Sequence, residues 1–162
     1  MPEYGLLGPD EGRGLLPWSW ARRRLARSRR YWLATTRPDR RPHAVAVWGV
    51  WLDDVFWYFS TGRRSRKARN LTRNPSCAVT TERADKAIIV EGSAKRMSDP
   101  SRLRRVASRY LEKYGEEYPS DSSVYAVRPV KAFGFIEAEA DFTGTATRWR
   151  FDEERPRRRS AG

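Results

Sequence analysis

Two periodicities alternate along the chain. Between Pro17 and Arg30 the apolar residues Trp18, Ala21 and Leu25 recur at three- and four-residue steps, a narrow stripe that predicts a helix. Pro17 suits its opening turn, and the arginines towards its end complement the helix dipole. The period then shortens. Tyr31–Arg37 reads as a strand, Pro38-Asp39-Arg40 as a turn, His43–Leu52 (HAVAVWGVWL) as a long apolar strand, and Val55–Ser60 as a third after the Asp53-Asp54 turn. A loop, Thr61–Ser65, leads into a short helix over Arg66–Arg73, closed by Asn74-Pro75. Cys77–Thr81 and Ala87–Arg96 give a fourth and fifth strand. Ser98-Asp99-Pro100 signals a helix start, and Leu103, Val106, Ala107, Tyr110, Leu111 and Tyr114 continue the helical spacing to a natural stop at Gly115. Ser123–Val127, Ala132–Glu137 and Thr143–Phe151 complete the set.

About eight short strands and three helices with no βαβ alternation predict a mainly β (α+β) fold. The expected form is a closed or nearly closed antiparallel barrel with peripheral helices. Residues 15–151 form the expected single domain, with a loose segment at 1–14 and a basic, disordered tail at 152–162.

Composition narrows the function. With 39% apolar and 12% aromatic residues the chain can build a core, and no apolar run approaches the roughly 18 residues of a membrane helix. The start MPEYGLLGPDEGRG lacks the features of a secretory signal, so a cytoplasmic protein is expected. One cysteine, Cys77, and one histidine, His43, exclude an internal disulfide, a histidine triad and a multi-histidine metal site. The net charge is +13, and six of the arginines lie in Arg22–Arg30 (RRRLARSRR). Such a field attracts polyanions, although arginines on a solvated face give the same count.

Signatures of Rossmann domains, P-loops and serine hydrolases are missing. The informative stretch is Phe59–Leu71, FSTGRRSRKARNL. A strand delivers the hydroxyls of Ser60 and Thr61, a glycine-containing turn follows, and Ser65-Arg66-Lys67 opens a helix. Free N–H groups at a helix start, hydroxyls and two cations together make a phosphate site; a basic capped helix in solvent is the plainer reading.

The order strand–ST–loop–SRKARNL–x2–NP after HAVAVWGVW resembles the pyridoxamine 5'-phosphate oxidase-like superfamily. The likeness runs from about Pro17 to Phe151 and takes in TTERADKAIIVEG, the KYG at Lys113–Gly115 and the terminal TATRWRF. It implies the FMN-binding type of split β-barrel, a homodimer with cofactor sites at the interface, and FMN or the deazaflavin coenzyme F-420 as cofactor. By the same resemblance Phe59 and Ser60 match the aromatic and hydroxyl positions ending the third strand, and Arg66 and Lys67 the phosphate-binding pair. Thr61 and Ser65 become further phosphate partners, Trp48 lines the tricyclic ring, and Arg148 and Trp149 approach from the partner subunit. The chain departs from true pyridoxamine-phosphate oxidases at three points. Ala44–Trp51 has no arginine or lysine, Ala87 stands where a glutamine precedes the glycine (here Gly92), and the family's extension with its pyridoxal-phosphate arginine motif is missing after TRWRF. These departures point away from vitamin B6 oxidation and towards the small-chain branch.

The implied activity is hydride transfer between the flavin or deazaflavin and a small organic substrate, the cofactor carrying the redox chemistry. No residue stands out as its proton donor. Two readings from other classes stay open: a cofactor-binding carrier or sensor without turnover, and a basic module for nucleic acid.

Overall fold

The computed structural model describes residues 14–52, 56–138 and 142–151. The loose ends expected at 1–14 and 152–162 lie, apart from Gly14, outside the described residues. Eight strands and three full helices follow the predicted order: α1 (Trp18–Arg27), β1 (Tyr31–Thr36), β2 (Pro42–Val47), β3 (Val50–Leu52), β4 (Phe56–Gly62), α2 (Arg66–Arg73), β5 (Ser76–Thr81), β6 (Lys86–Arg96), α3 (Pro100–Tyr114), β7 (Ser122–Ile136) and β8 (Thr147–Arg150), with a one-turn helix, α4 (Phe142–Thr145), before β8.

All strands join one antiparallel sheet in the order β2-β1-β5-β6-β7-β4-β3, with β8 also on β7. The sheet curls as a split barrel, the form that the resemblance implies and one that agrees with the nearly closed antiparallel barrel read from the pattern. β7 organises it: β6 pairs along its whole length, β4 with Val124–Val127 and the two residues before them, and β8 with Lys131–Gly134. Inside the curl lies the main core, built on Leu33, Trp57, Phe59, Val79, Ile88, Val90 and Val127, and α1 plugs one end with Ala21 and Leu25. A second cluster under α3 joins Val50, Tyr58, Val106, Tyr110 and Tyr114. No helix among the described residues is long and apolar enough to cross a membrane.

Four of the boundaries that differ from the sequence reading have identifiable physical reasons. The helix predicted to Arg30 stops at Arg27, where buried Ser28 turns the chain and its hydroxyl donates to Arg30 O at 3.0 Å. The strand predicted over His43–Leu52 breaks at Trp48-Gly49. There the Gly49 N–H donates to Tyr114 Oη (2.9 Å), and Gly49 O accepts from Lys113 Nζ (3.0 Å), so α3 satisfies groups that a ladder would otherwise hold. A side chain at Gly49 would meet the Trp57 indole at 2.4 Å. Conversely, Ser123–Val127 and Ala132–Glu137 merge into one strand: Pro129 pairs with Gly92 beside a bulge, a place where its missing N–H costs no ladder bond. The last strand is shorter than predicted, because the Thr145 hydroxyl accepts from Ile136 N–H and the Thr147 hydroxyl donates to Thr145 O, holding a turn there.

Candidate functional site

Strand alternation sorts the residues of β4. Phe59 and Thr61 point into the barrel and Ser60 to the opposite face. Phe59 is 1% exposed and stacks between Trp57 and Tyr125, so its ring is core. After Gly62 a turn forms, with Ser65 N–H bonded to Gly62 O at 3.0 Å. Ser65 then caps α2, its Oγ accepting from Ala68 N–H at 3.2 Å and lying 3.0 Å from Thr61 Oγ1. Arg66 and Lys67 are the first two residues of α2. Their own N–H groups have no partner within the helix, and the positive end of its dipole adds to their charge. Burial lowers the Lys67 pKa, while Arg66 is exposed.

β1 and β2 bring further groups to this recess. Asn70, on the buried side of α2, donates to Thr35 Oγ1 at 2.9 Å, and Thr35 Oγ1 lies 3.4 Å from His43 Nδ1 on the paired strand. His43 is held below its ordinary pKa, first by desolvation and then by the charges of Arg37, Arg66 and Lys67, which disfavours its charged form. Arg37 Nε is buried without a hydrogen-bond partner. Among the described residues no carboxylate pairs with Arg37, Arg66 or Lys67. Hydroxyls, helix N–H groups and uncompensated cations converge here, a donor set matched to a phosphate.

The other predicted residues fall into two separate groups. Trp48, 41% exposed, stacks on Tyr114 with ring centroids 4.7 Å apart and planes 6° apart, and Ser60 lies beside Tyr110 of the same helix, where it offsets part of the rise that burial gives the Tyr110 pKa. Lys113 ties this helix end to the barrel by donating to Tyr31 Oη at 2.8 Å as well as to Gly49 O. At the far end of the chain Trp149 packs edge-on against Trp18, and its Nε1 donates to Leu16 O at 3.1 Å. Arg148 points the other way, over Phe133. Within one chain, then, the structure brings together Thr61, Ser65, Arg66 and Lys67. It places Trp48 and Ser60 with α3, and Arg148 and Trp149 on β8.

Sequence reasoning missed Thr35, Arg37, His43 and Asn70. Only Asn70 left a trace, as an amide between Ala68 and Leu71 on the face of α2 that must be buried. Among the described residues no group of three or more histidine, cysteine or acidic side chains could hold a metal ion.

A family model described as pyridoxamine 5'-phosphate oxidase matches residues 20–142. No curated protein matches the chain. Among solved structures, a conserved hypothetical protein of Mycobacterium tuberculosis is 24% identical with a TM-score of 0.66, over 73% of this chain and 83% of that one. An F-420 reductase is 28% identical with a TM-score of 0.54, over 67% and 91%. The haem storage protein of Vibrio cholerae is 21% identical with a TM-score of 0.58, over 72% and 90%.

Proposed function

The chain belongs to the pyridoxamine 5'-phosphate oxidase family, a family of flavin- and F-420-binding split barrels, and on that premise we propose that it is an oxidoreductase that uses FMN or coenzyme F-420. The observation that carries this reading is the recess at the start of α2. Thr61, Ser65, Arg66 and Lys67 would hold the cofactor phosphate, with His43 and the unpartnered Arg37 Nε as further donors. When bound, the flavin or deazaflavin ring supplies hydride transfer to or from a small organic substrate. β2 is an edge strand, so one rail of its backbone is free to hydrogen-bond. Its outward side chains, Ala44 and Ala46, are small enough to let a flat ring approach, and Trp48 offers an exposed aromatic surface just beyond. Ser60 and Phe59 contribute backbone position rather than a contact of their own.

A second copy of the chain completes the proposal. The outer face of the sheet exposes Trp32 and Val130, 51% each, around Ala34, Ala46 and Ala78, an apolar surface of the kind a homodimer covers. Arg148 and Trp149 enter the site only through that partner.

The test is direct. Purified protein titrated with FMN and with F-420 should bind one of them, with a change in its visible absorption. Arg66→Ala or Lys67→Ala should weaken that binding about ten- to a hundredfold, since each removes a charge-assisted hydrogen bond. Arg63→Ala, in the preceding exposed loop, is the control. An equal loss there would mean general electrostatics and would remove the site assignment. Haem bound in place of either cofactor would overturn the oxidoreductase.

A further inference from the structure

A second basic recess lies at the other end of β1. Thr35, near one end of that strand, meets α2 through Asn70; at the opposite end Tyr31 pairs with Thr81, and the C-terminal half of α1 faces the hairpin between β5 and β6. Between them runs an open cleft of about 370 Å³ lined by Arg23, Arg24 and Arg27 of α1 and by Glu82, Arg83 and Lys86 of the hairpin.

The charges in this cleft are crowded and partly fixed. α1 contains no acidic residue, and Arg23 and Arg27 are one turn apart, a like-charged pair that weakens a helix. The Arg24 guanidinium lies 3.9 Å from the centre of the Trp20 ring, and burial, followed by the charges of Arg23 and Arg27, lowers its pKa. Asp85 grips Arg83 through two bonds of 2.9 and 2.7 Å, which orients its fork, and Glu82 accepts the Arg30 N–H at 2.8 Å. Two carboxylates thus face five cations, and Arg23, Arg27 and Lys86 form no ion pair among the described residues. An anion seated among them would relieve this repulsion.

We propose that the cleft between α1 and the β5–β6 hairpin binds a small ligand with two or more adjacent phosphate groups, free or carried on a nucleoside. Guanidinium forks bind phosphate oxygens in pairs, and the cleft's volume lies at the small end of the roughly 300–1,000 Å³ typical of ligand pockets. A nucleic-acid strand fits less well, because it needs exposed aromatic rings interleaved with the cations. Here Trp20 is buried beneath Arg24, and Trp32 stands on the opposite face of β1 from Tyr31. The proposal does not depend on the cofactor assigned above.

Calorimetric titration of the full chain with tripolyphosphate at fixed ionic strength tests it. Saturable one-to-one binding is expected, weakened about tenfold or more by the double variant Arg23→Ala/Arg27→Ala. Both positions are exposed on a helix and alanine favours helix, so the fold should persist. Lys95→Ala/Arg104→Ala removes the same charge from exposed positions elsewhere and should leave binding within about twofold of the parent, as surface substitutions usually do. A nucleoside triphosphate competing for the same site would support the proposal. It is overturned if both double variants lose affinity equally, if Arg66→Ala/Lys67→Ala abolishes the binding, or if a single-stranded oligonucleotide binds tighter through Arg23 and Arg27.

Discussion

Lys113 is the side chain whose environment most changes its chemistry. Burial, then Arg109 and Arg29, lower its pKa from 10.5 to about 8, although its ammonium has oxygen partners in Tyr31 and Gly49. Between those two values the unfolded chain holds the proton that the folded chain has released, so this group makes stability rise with pH from about 8 upward. Other buried groups act in the opposite sense. The Cys77 thiol is pushed by burial from 9.0 to about 12, so above pH 9 the unfolded chain loses a proton that the folded chain keeps, and stability falls. Tyr31 and Tyr114 are likewise raised, chiefly by burial, and add to that fall above pH 10. The net gain is confined to about pH 8–9. Urea midpoints measured at pH 7.5 and 9 should show it. Lys113→Met should flatten the rise, and an unchanged pH slope in that variant would mean that the ammonium is better solvated than its position indicates.

Among the elements, the break between β2 and β3 is the most sensitive to a small change. Gly49→Ala drives a methyl group into the Trp57 indole and disturbs the two bonds that bind α3 to the barrel; overpacking of this kind costs about 1–3 kcal/mol, readable as a lower urea midpoint. The same break shows where reading the sequence stops. HAVAVWGVW contains no proline and no polar punctuation after His43, and its one glycine, Gly49, hints at a bulge or close approach without announcing that the strand ends. The groups that cause it, Lys113 and Tyr114, are far away in sequence. Pro129 misleads in the other direction, suggesting a strand end where Gly92 on the neighbouring strand lets β7 continue. Where the cause is local, the pattern suffices: Ser65 caps α2, Asp99 caps α3 by accepting from Ser101 N–H at 3.0 Å, and Gly115 ends α3 with a left-handed φ of 75°. The recess follows the same rule. Ser65, Arg66 and Lys67 are contiguous and legible, whereas Thr35, Arg37 and His43 join them only once β1 and β2 pack against α2.

For the whole molecule, the exposed outer face carries the quaternary prediction. Sedimentation at micromolar concentration should report a homodimer, and Trp32→Glu, which sets a charge in the middle of that face, should shift it to monomer without unfolding it. A monomer in the parent protein would remove the route by which Arg148 and Trp149 enter the site. The arrangement of β7 has a different consequence, which concerns the chain as it is being made. The β4 segment emerges from the ribosome early, but the strand that pairs with it, beginning at Ser122, is synthesised only after α2, β5, β6 and α3. Until then Trp57 and Phe59 have one neighbouring strand, the three-residue β3, and an unpaired rail on the other side. Pairings this distant in sequence form late, and large rings left waiting on an open strand edge are what chaperones hold and what aggregates. A nascent chain stalled before Ser122 is therefore the most vulnerable form of this protein, and completing β7 ends that exposure by closing β4, β6 and finally β8 on a single strand.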